Sequence, residues 1–214
     1  MYSQNKEEHF ITEYFKDKKG TVLDIGANDG KTFSNSLRLI ELGWSGVLVE
    51  PSPSCAAKIL ELHKHNQYVA VCQYAIGTIT EQGMFHESGK LDDPLLNGAE
   101  NKALVSTLIE SEKDRWGLDM QWEKYPVSIL SWPDFLVKLG FNPKEHKFEF
   151  ITIDAEGLDV YILEQMNLTE LGTEMICVEW NCNNIMKDRM IAHAAKHGLT
   201  NIIYQSGENI LITK

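Results

Sequence analysis

The sequence predicts an α/β fold: an open, mostly parallel sheet with helices on both faces, finished by an antiparallel hairpin. Three observations predict it. Short β-rich runs alternate with helical patterns of about a dozen residues, the signature of a doubly wound sheet. The first such run opens into a glycine loop that leads to a helix. The last two runs, Asn201-Ile202-Ile203-Tyr204 and Asn209-Ile210-Leu211-Ile212, flank Ser206-Gly207-Glu208, a hairpin signal.

Over residues 5–19, Phe10, Ile11, Tyr14 and Phe15 share one helical face, and Gly20 is placed to end that helix. Thr21 to Gly26 reads as the first strand, and Phe33, Leu37 and Ile40 give the next helix its i, i+4, i+7 stripe, stopped by Gly43. Val47 to Glu50 is the second strand. Ser52 and Pro53 then supply an N-cap and a first-turn proline for a helix carrying Ala56, Ile59 and Leu60. Residues 68–76 read as a third strand. Residues 86–102 turn polar and predict an exposed, mobile loop. Residues 103–108 and 125–130 are short β-like runs, and Ser131-Trp132-Pro133 starts a helix that ends at Gly140. Residues 148–153 and 175–180 are the apolar runs of central strands.

With 43% apolar residues and no compositional seam, the chain predicts one domain over residues 1–214, with an insertion around 86–125 roofing an acceptor pocket. A formal net charge of −11 argues against a nucleic-acid partner, which needs a basic face to displace counterions. Cys55, Cys72, Cys177 and Cys182 form no CxxC pair and read as reduced thiols. No run approaches the ~20 apolar residues of a membrane span, and the N-terminus lacks an apolar signal core. A cytoplasmic protein without a membrane partner is the expectation.

The first loop reads Asp24-Ile25-Gly26-Ala27-Asn28-Asp29-Gly30, its glycines four apart. The G-x-G-x-x-G spacing that closes backbone on a pyrophosphate is missing, which disfavours a nicotinamide dinucleotide and a dehydrogenase. A ligand without phosphate but with a ribose and a cationic centre suits it better, and S-adenosylmethionine (SAM) is such a ligand. Asp24 supplies charge at the strand's end, or else merely caps the loop. Glu50, twenty residues past Gly30, stands where a carboxylate accepts from both ribose hydroxyls.

The segments VLDIGANDG, VLVEPSP, YAIG, ITIDAEGLDVYIL and ICVEWN, in this order over residues 20–214, resemble the FkbM-type family of SAM-dependent methyltransferases. The resemblance implies a seven-stranded, Rossmann-like class I methyltransferase fold and O-methylation of a hydroxyl on a sugar or other small metabolite, releasing S-adenosylhomocysteine. It implies a SAM loop at Asp24, Gly26, Asn28 and Gly30, a ribose acid at Glu50 beside Pro51, and an adenine segment at Ala75 and Ile76. Asp154, Glu156 and Gly157 match the family's acid-bearing fourth motif; Leu158-Asp159 follow where many members carry Ala-Glu, so any role of a second acid falls to Asp159.

An alcohol attacking the methyl group has a proton to lose, and a positioned carboxylate can take it. Asp154, at a strand's carboxyl end, is assigned to the methyl donor and acceptor hydroxyl, and Glu156 to acceptor binding or general base. The bland alternative makes Asp154 a cap for a helix starting near Gly157. The Asn/Asp-Pro-Pro-aromatic run of amino methyltransferases is replaced by Asp154-Ala155-Glu156-Gly157, which demotes nitrogen acceptors. Asp154, Glu179 and Asn181 could offer three oxygens to magnesium, yet Glu179 closing the pocket and Asn181 capping the next helix is the simpler reading, and no metal is assigned. His86 is the histidine worth testing as a base. His63 and His65 read as solvated, and the pair His193 and His197 lacks a third zinc ligand. Trp116, Trp122 and Ser106-Thr107 fall in the expected roof, while Trp132 reads as packing. A non-catalytic SAM-binding module remains the reading from another class.

Overall fold

A computed structural model describes residues 1–89, 103–116 and 120–214. Along the chain run α1 (Glu7–Phe15), β1 (Thr21–Ile25), α2 (Leu37–Glu41), β2 (Ser45–Val49), α3 (Pro53–Leu62), β3 (Val69–Cys72), β4 (Ala75–Gly77), β5 (Glu81–Ser88), a 3-10 helix (Glu110–Trp116), β6 (Trp122–Ser131), α4 (Trp132–Leu139), β7 (Phe150–Ile153), α5 (Asp159–Leu163), β8 (Met175–Glu179), α6 (Asn184–Lys196), β9 (Asn201–Gln205) and β10 (Asn209–Thr213). Seven strands form one sheet in the order β3-β2-β1-β7-β8-β10-β9. Pairing is parallel from β3 to β8 and antiparallel where β10 joins β8 and β9. The expected parallel sheet with a terminal hairpin is therefore present.

Alternation along each strand divides the core. Leu23, Ile25, Val47, Val49, Ile151, Ile153, Ile176 and Val178 pack with Trp132 and Phe135 of α4, Val160 and Ile162 of α5, and Met190 of α6. Their strand neighbours Val22, Leu48, Phe150, Cys177 and Leu211 face the other way, against Ile11 and Phe15 of α1, Leu39 of α2 and Ile59 of α3. Central parallel strands thus bury both faces, which is why β7 and β8 read as apolar runs interrupted only at Thr152 before the closing Glu179. Each such large side chain contributes roughly 1.5–3 kcal/mol on burial.

A second sheet, ordered β4-β6-β5, branches off after β3. The expected single strand over 68–76 is broken at Gln73-Tyr74, so β3 stays in the main sheet while β4 pairs in parallel with β6. Phe85 and Ile129 give this small sheet its own apolar cluster.

Several local expectations are corrected. Helix α1 stops at Lys16, whose φ of 45° ends it before Gly20 is reached. The helix expected from Phe33 begins only at Leu37: Asp29 holds the Lys31 and Thr32 N–H groups at 2.9 and 2.7 Å, and Phe33 has a φ of 57°. Of residues 86–102, His86 to Ser88 are the buried end of β5, and residues 90–102 lie outside the described residues. The run over 103–108 forms no strand; Thr107 alone makes a bridge, to His86. The hairpin turn is closed by Ser206, whose Oγ accepts the Glu208 and Asn209 N–H groups at 3.2 and 2.9 Å. No helix among the described residues is long and apolar enough to cross a membrane.

Candidate active site

The register places four strand ends side by side: Ile25 pairs with Val49 and with Ile153, and Ile153 with Val178. The chain leaves each strand at or near an acid, namely Asp24, Glu50, Asp154 and Glu179. Backbone bonds carry the ladder past the strands, Gly26 N–H and Ala27 N–H to Val49 C=O at 2.9 and 3.1 Å, and Asp154 N–H to Ile25 C=O at 2.9 Å. Gly26 is indispensable to this crossing. Its φ is +86°, and a Cβ there would stand 1.7 Å from the Asp154 carbonyl oxygen.

A cavity of about 400 Å3 opens over these ends, the size range of a cofactor site. Asp24, Gly26, Asn28, Glu50, Pro51, Ala75, Ile76, Asp154 and Glu156 all line it. Gly30 does not; with φ +75° and its Cα face against Ile59, it shapes the turn behind the loop. His86 is buried in β5 and does not line the cavity. Ser106 lines the cavity, whereas Thr107 holds the Glu156 carbonyl through its hydroxyl at 2.9 Å. Trp122 and Trp132 do not line it, and the side chain of Trp116 lies outside the description.

Glu50 is held on both oxygens: Oε1 accepts the Ser52 N–H at 2.7 Å and Oε2 the Asn28 N–H at 2.9 Å. Burial nevertheless pushes its carboxyl up to about 8, against the pull of those two donors. Behind it, Ser52 Oγ donates to Glu87 Oε1 at 2.6 Å and caps α3. Asp24 accepts from Ser36 Oγ at 2.5 Å, and burial raises it to about 6.

Across the cavity, Asp154 is the water-accessible member of a carboxylate group with Glu156 and Glu179. Enclosing protein, then the charges of Asp159 and Asp24, push Asp154 up to about 7. Glu156 and Glu179 are raised well above the glutamate range, again first by burial and then by Asp154. Asp154 caps no helix. Helix α5 has no side-chain cap; Asp159, its first residue, instead accepts the Ala155 and Gly157 N–H groups at 2.7 and 3.0 Å on its two oxygens and braces the bend on which Glu156 sits with φ 47°. Asn181 is not the cap of α6 either; Asn183 is, and Asn181 Nδ2 donates to Glu179 Oε2 at 2.7 Å. His193 and His197 pack ring against ring at a 57° tilt, centroids 4.9 Å apart, with His193 Nε2 3.0 Å from the Met166 carbonyl, a packing role.

The profile of the Methyltransferase FkbM domain matches residues 24–194, most of the chain. The chain belongs to the FkbM methyltransferase family. No curated protein sequence matches it significantly. Among solved structures, the FkbM methyltransferase of Methylobacillus flagellatus KT superposes with a TM-score of 0.54 at 9% identity, covering 92% of this chain and 44% of that one. The N-terminal domain of human METTL16 gives 0.46 at 8% identity, covering 95% and 66%. The chain thus spans less than half the length of the FkbM structure it matches. Sheet order and family together establish the class I methyltransferase fold.

Within this FkbM domain, sequence reasoning missed Ser36, Tyr74 and Arg115. Ser36 lies in an irregular stretch read as helix, and Tyr74 at a strand break read as continuous. Arg115 sits on a 3-10 turn whose approach to Glu156, 3.8 Å between Nη1 and Oε2, is a long-range contact no local pattern announces.

Proposed function

We propose that this FkbM methyltransferase transfers a methyl group from SAM to a hydroxyl of a small molecule, a sugar or comparable metabolite. The observation that carries the proposal is the convergence of four strand-end acids on one cavity whose single cationic lining residue, among those described, is Arg115. SAM has a sulfonium, an ammonium and a ribose diol but no phosphate, and such a donor set fits it. Both Glu50 oxygens keep acceptor capacity beyond the backbone donors they hold, so ribose hydroxyls can add to them. Asp24, Gly26 and Asn28 form the loop beside it, Pro51, Ala75 and Ile76 offer apolar surface to the base, and Gly30 serves by its turn.

Bound there, SAM supplies a methyl group activated by positive sulfur. Asp154 stands at the end of the strand next to the loop and orients donor and acceptor. Glu156, buried and with a raised proton affinity, is suited to bind the acceptor hydroxyl and hold the proton it loses. Ala103 to Ser106, with Leu108 and Arg115, wall the side facing the acceptor and keep bulk water out. The acid-lined cavity and the net charge of −11 support a small acceptor over a nucleic acid.

Calorimetric titration with SAM, and a screen of hydroxylated acceptors read by S-adenosylhomocysteine release, test the proposal. Saturable SAM binding, none with NADH, and product release with a hydroxylated acceptor are expected. Absence of heat with both SAM and S-adenosylhomocysteine would overturn it, and binding without turnover on any acceptor would favour a non-catalytic module.

A further inference from the structure

On the acceptor side of the cavity, Asp154, Glu156 and Glu179 each bring a carboxylate oxygen into one group whose members lie within 4.8 Å of one another. Three acids so close are costly unless they share protons, as Asp154 and Glu179 do through a side-chain hydrogen bond, or a cation sits among them. Arg115 approaches the group at Glu156, Nη1 standing 3.8 Å from Oε2 while the same nitrogen engages Glu112 at 2.9 Å. Glu156 adds an independent sign: its side chain is only 8% exposed, and its enclosed Oε2 has no hydrogen-bond partner among the described residues. Buried acceptors are almost always satisfied, and this one, with Arg115 3.8 Å away and beyond hydrogen-bond reach, is left with room for a closer cation.

We propose that Asp154, Glu156 and Glu179 form a divalent-cation site. The donors are all carboxylate oxygens, which select a hard ion, Mg2+, Mn2+ or Ca2+, over zinc. Two oxygens on opposite sides of an ion stand about 4.2 Å apart for Mg2+ and roughly 4.6–5.2 Å for Ca2+, so the 4.8 Å span admits either with small movements. Asn181, whose amide oxygen could have joined the group by strand order, instead turns its amide nitrogen to Glu179 Oε2 and orients that carboxylate. Asp154, the accessible member, directs the ion's open positions into the cavity. Resting on the methyl-transfer reading, this names the acceptor class: a molecule with two neighbouring oxygens, such as a vicinal diol, that occupies two of those positions.

Mn2+ is the probe. In SAM-free protein, the loss of the free-ion electron paramagnetic resonance signal should show one saturable Mn2+ per chain, displaced by excess Mg2+ or Ca2+. Glu156→Gln and Glu179→Gln should weaken it at least about tenfold while circular dichroism stays unchanged; if either fails to fold, Asp154→Asn replaces it. No saturable uptake by the wild type, or equal uptake by the variants, would overturn the proposal. Parallel SAM titrations in chelator separate the two readings, since failure to bind SAM there sinks the methyl-donor assignment and leaves the ion result to stand alone.

Discussion

The Asn28 backbone N–H donates to Glu50 Oε2 at 2.9 Å, tying the glycine loop to the end of β2. With Ser52 on the other oxygen at 2.7 Å, the carboxylate is aimed before any ligand arrives. Glu50→Ala removes a charge-assisted acceptor, a change worth about 1.5–3 kcal/mol per bond, or roughly 10–100-fold in affinity. The rise in melting temperature produced by SAM in the wild type should nearly vanish in the variant, and an undiminished rise would refute a ribose role.

Glu50 also sets a pH dependence. Its carboxyl, ordinarily near 4.5, is raised to about 8 by burial, so between those values the folded chain holds a proton that the unfolded chain has released. Stability then falls as pH rises: the contribution is complete below 4.5 and lost as pH passes about 8. Asp24, raised to about 6, adds in the same direction. Denaturant midpoints measured across this window should decline in the wild type and decline less in Glu50→Gln. Ribose hydroxyls donate to the ionised form, so SAM binding should expel a proton, visible as a calorimetric heat that depends on the buffer.

Gly26→Ala should damage the fold rather than the ligand contacts alone. The new methyl meets backbone, the Asp154 carbonyl oxygen at 1.7 Å, at a φ of +86°. Backbone cannot yield as a flexible side chain does. A loss on the order of 3 kcal/mol or more in urea unfolding is expected.

Asp154→Asn and Glu156→Gln separate chemistry from cofactor binding. Turnover should fall by roughly 10²–10⁴ in each, as when a positioned proton acceptor is removed, while SAM affinity by calorimetry stays within a few-fold. Parallel losses in both would make these acids part of cofactor binding only.

Elements with strong periodic or capping signals were legible in the sequence. Ser52-Pro53 and Ser131-Trp132-Pro133 start α3 and α4 as read, and the 201–212 hairpin is in place. Eight of the nine residues assigned to the cofactor share one cavity, because strand ends in a parallel sheet fall in one row. Gly30 stands outside that lining, its positive φ serving the turn behind the loop. Phe33 matched a helical stripe, yet Asp29 captured the nearby N–H groups and locally outcompeted helix formation. The β4-β6 pairing joins residues about fifty positions apart, and Arg115 reaches Glu156 over a similar span, so neither leaves a trace in short-range pattern.

The small sheet and the wall around Arg115 belong to a single excursion of the chain, which leaves the main sheet after Cys72 and returns to it at β7. Except at Ala75 and Ile76, the residues assigned to SAM come from outside that excursion. The excursion is nonetheless pinned to the main core by Ile76 and by Trp132 and Phe135 of α4, so that only its outer part, the wall of Ala103 to Ser106 with Leu108 and Arg115, can vary in length and composition while those anchors and Glu156 keep the acceptor side in place.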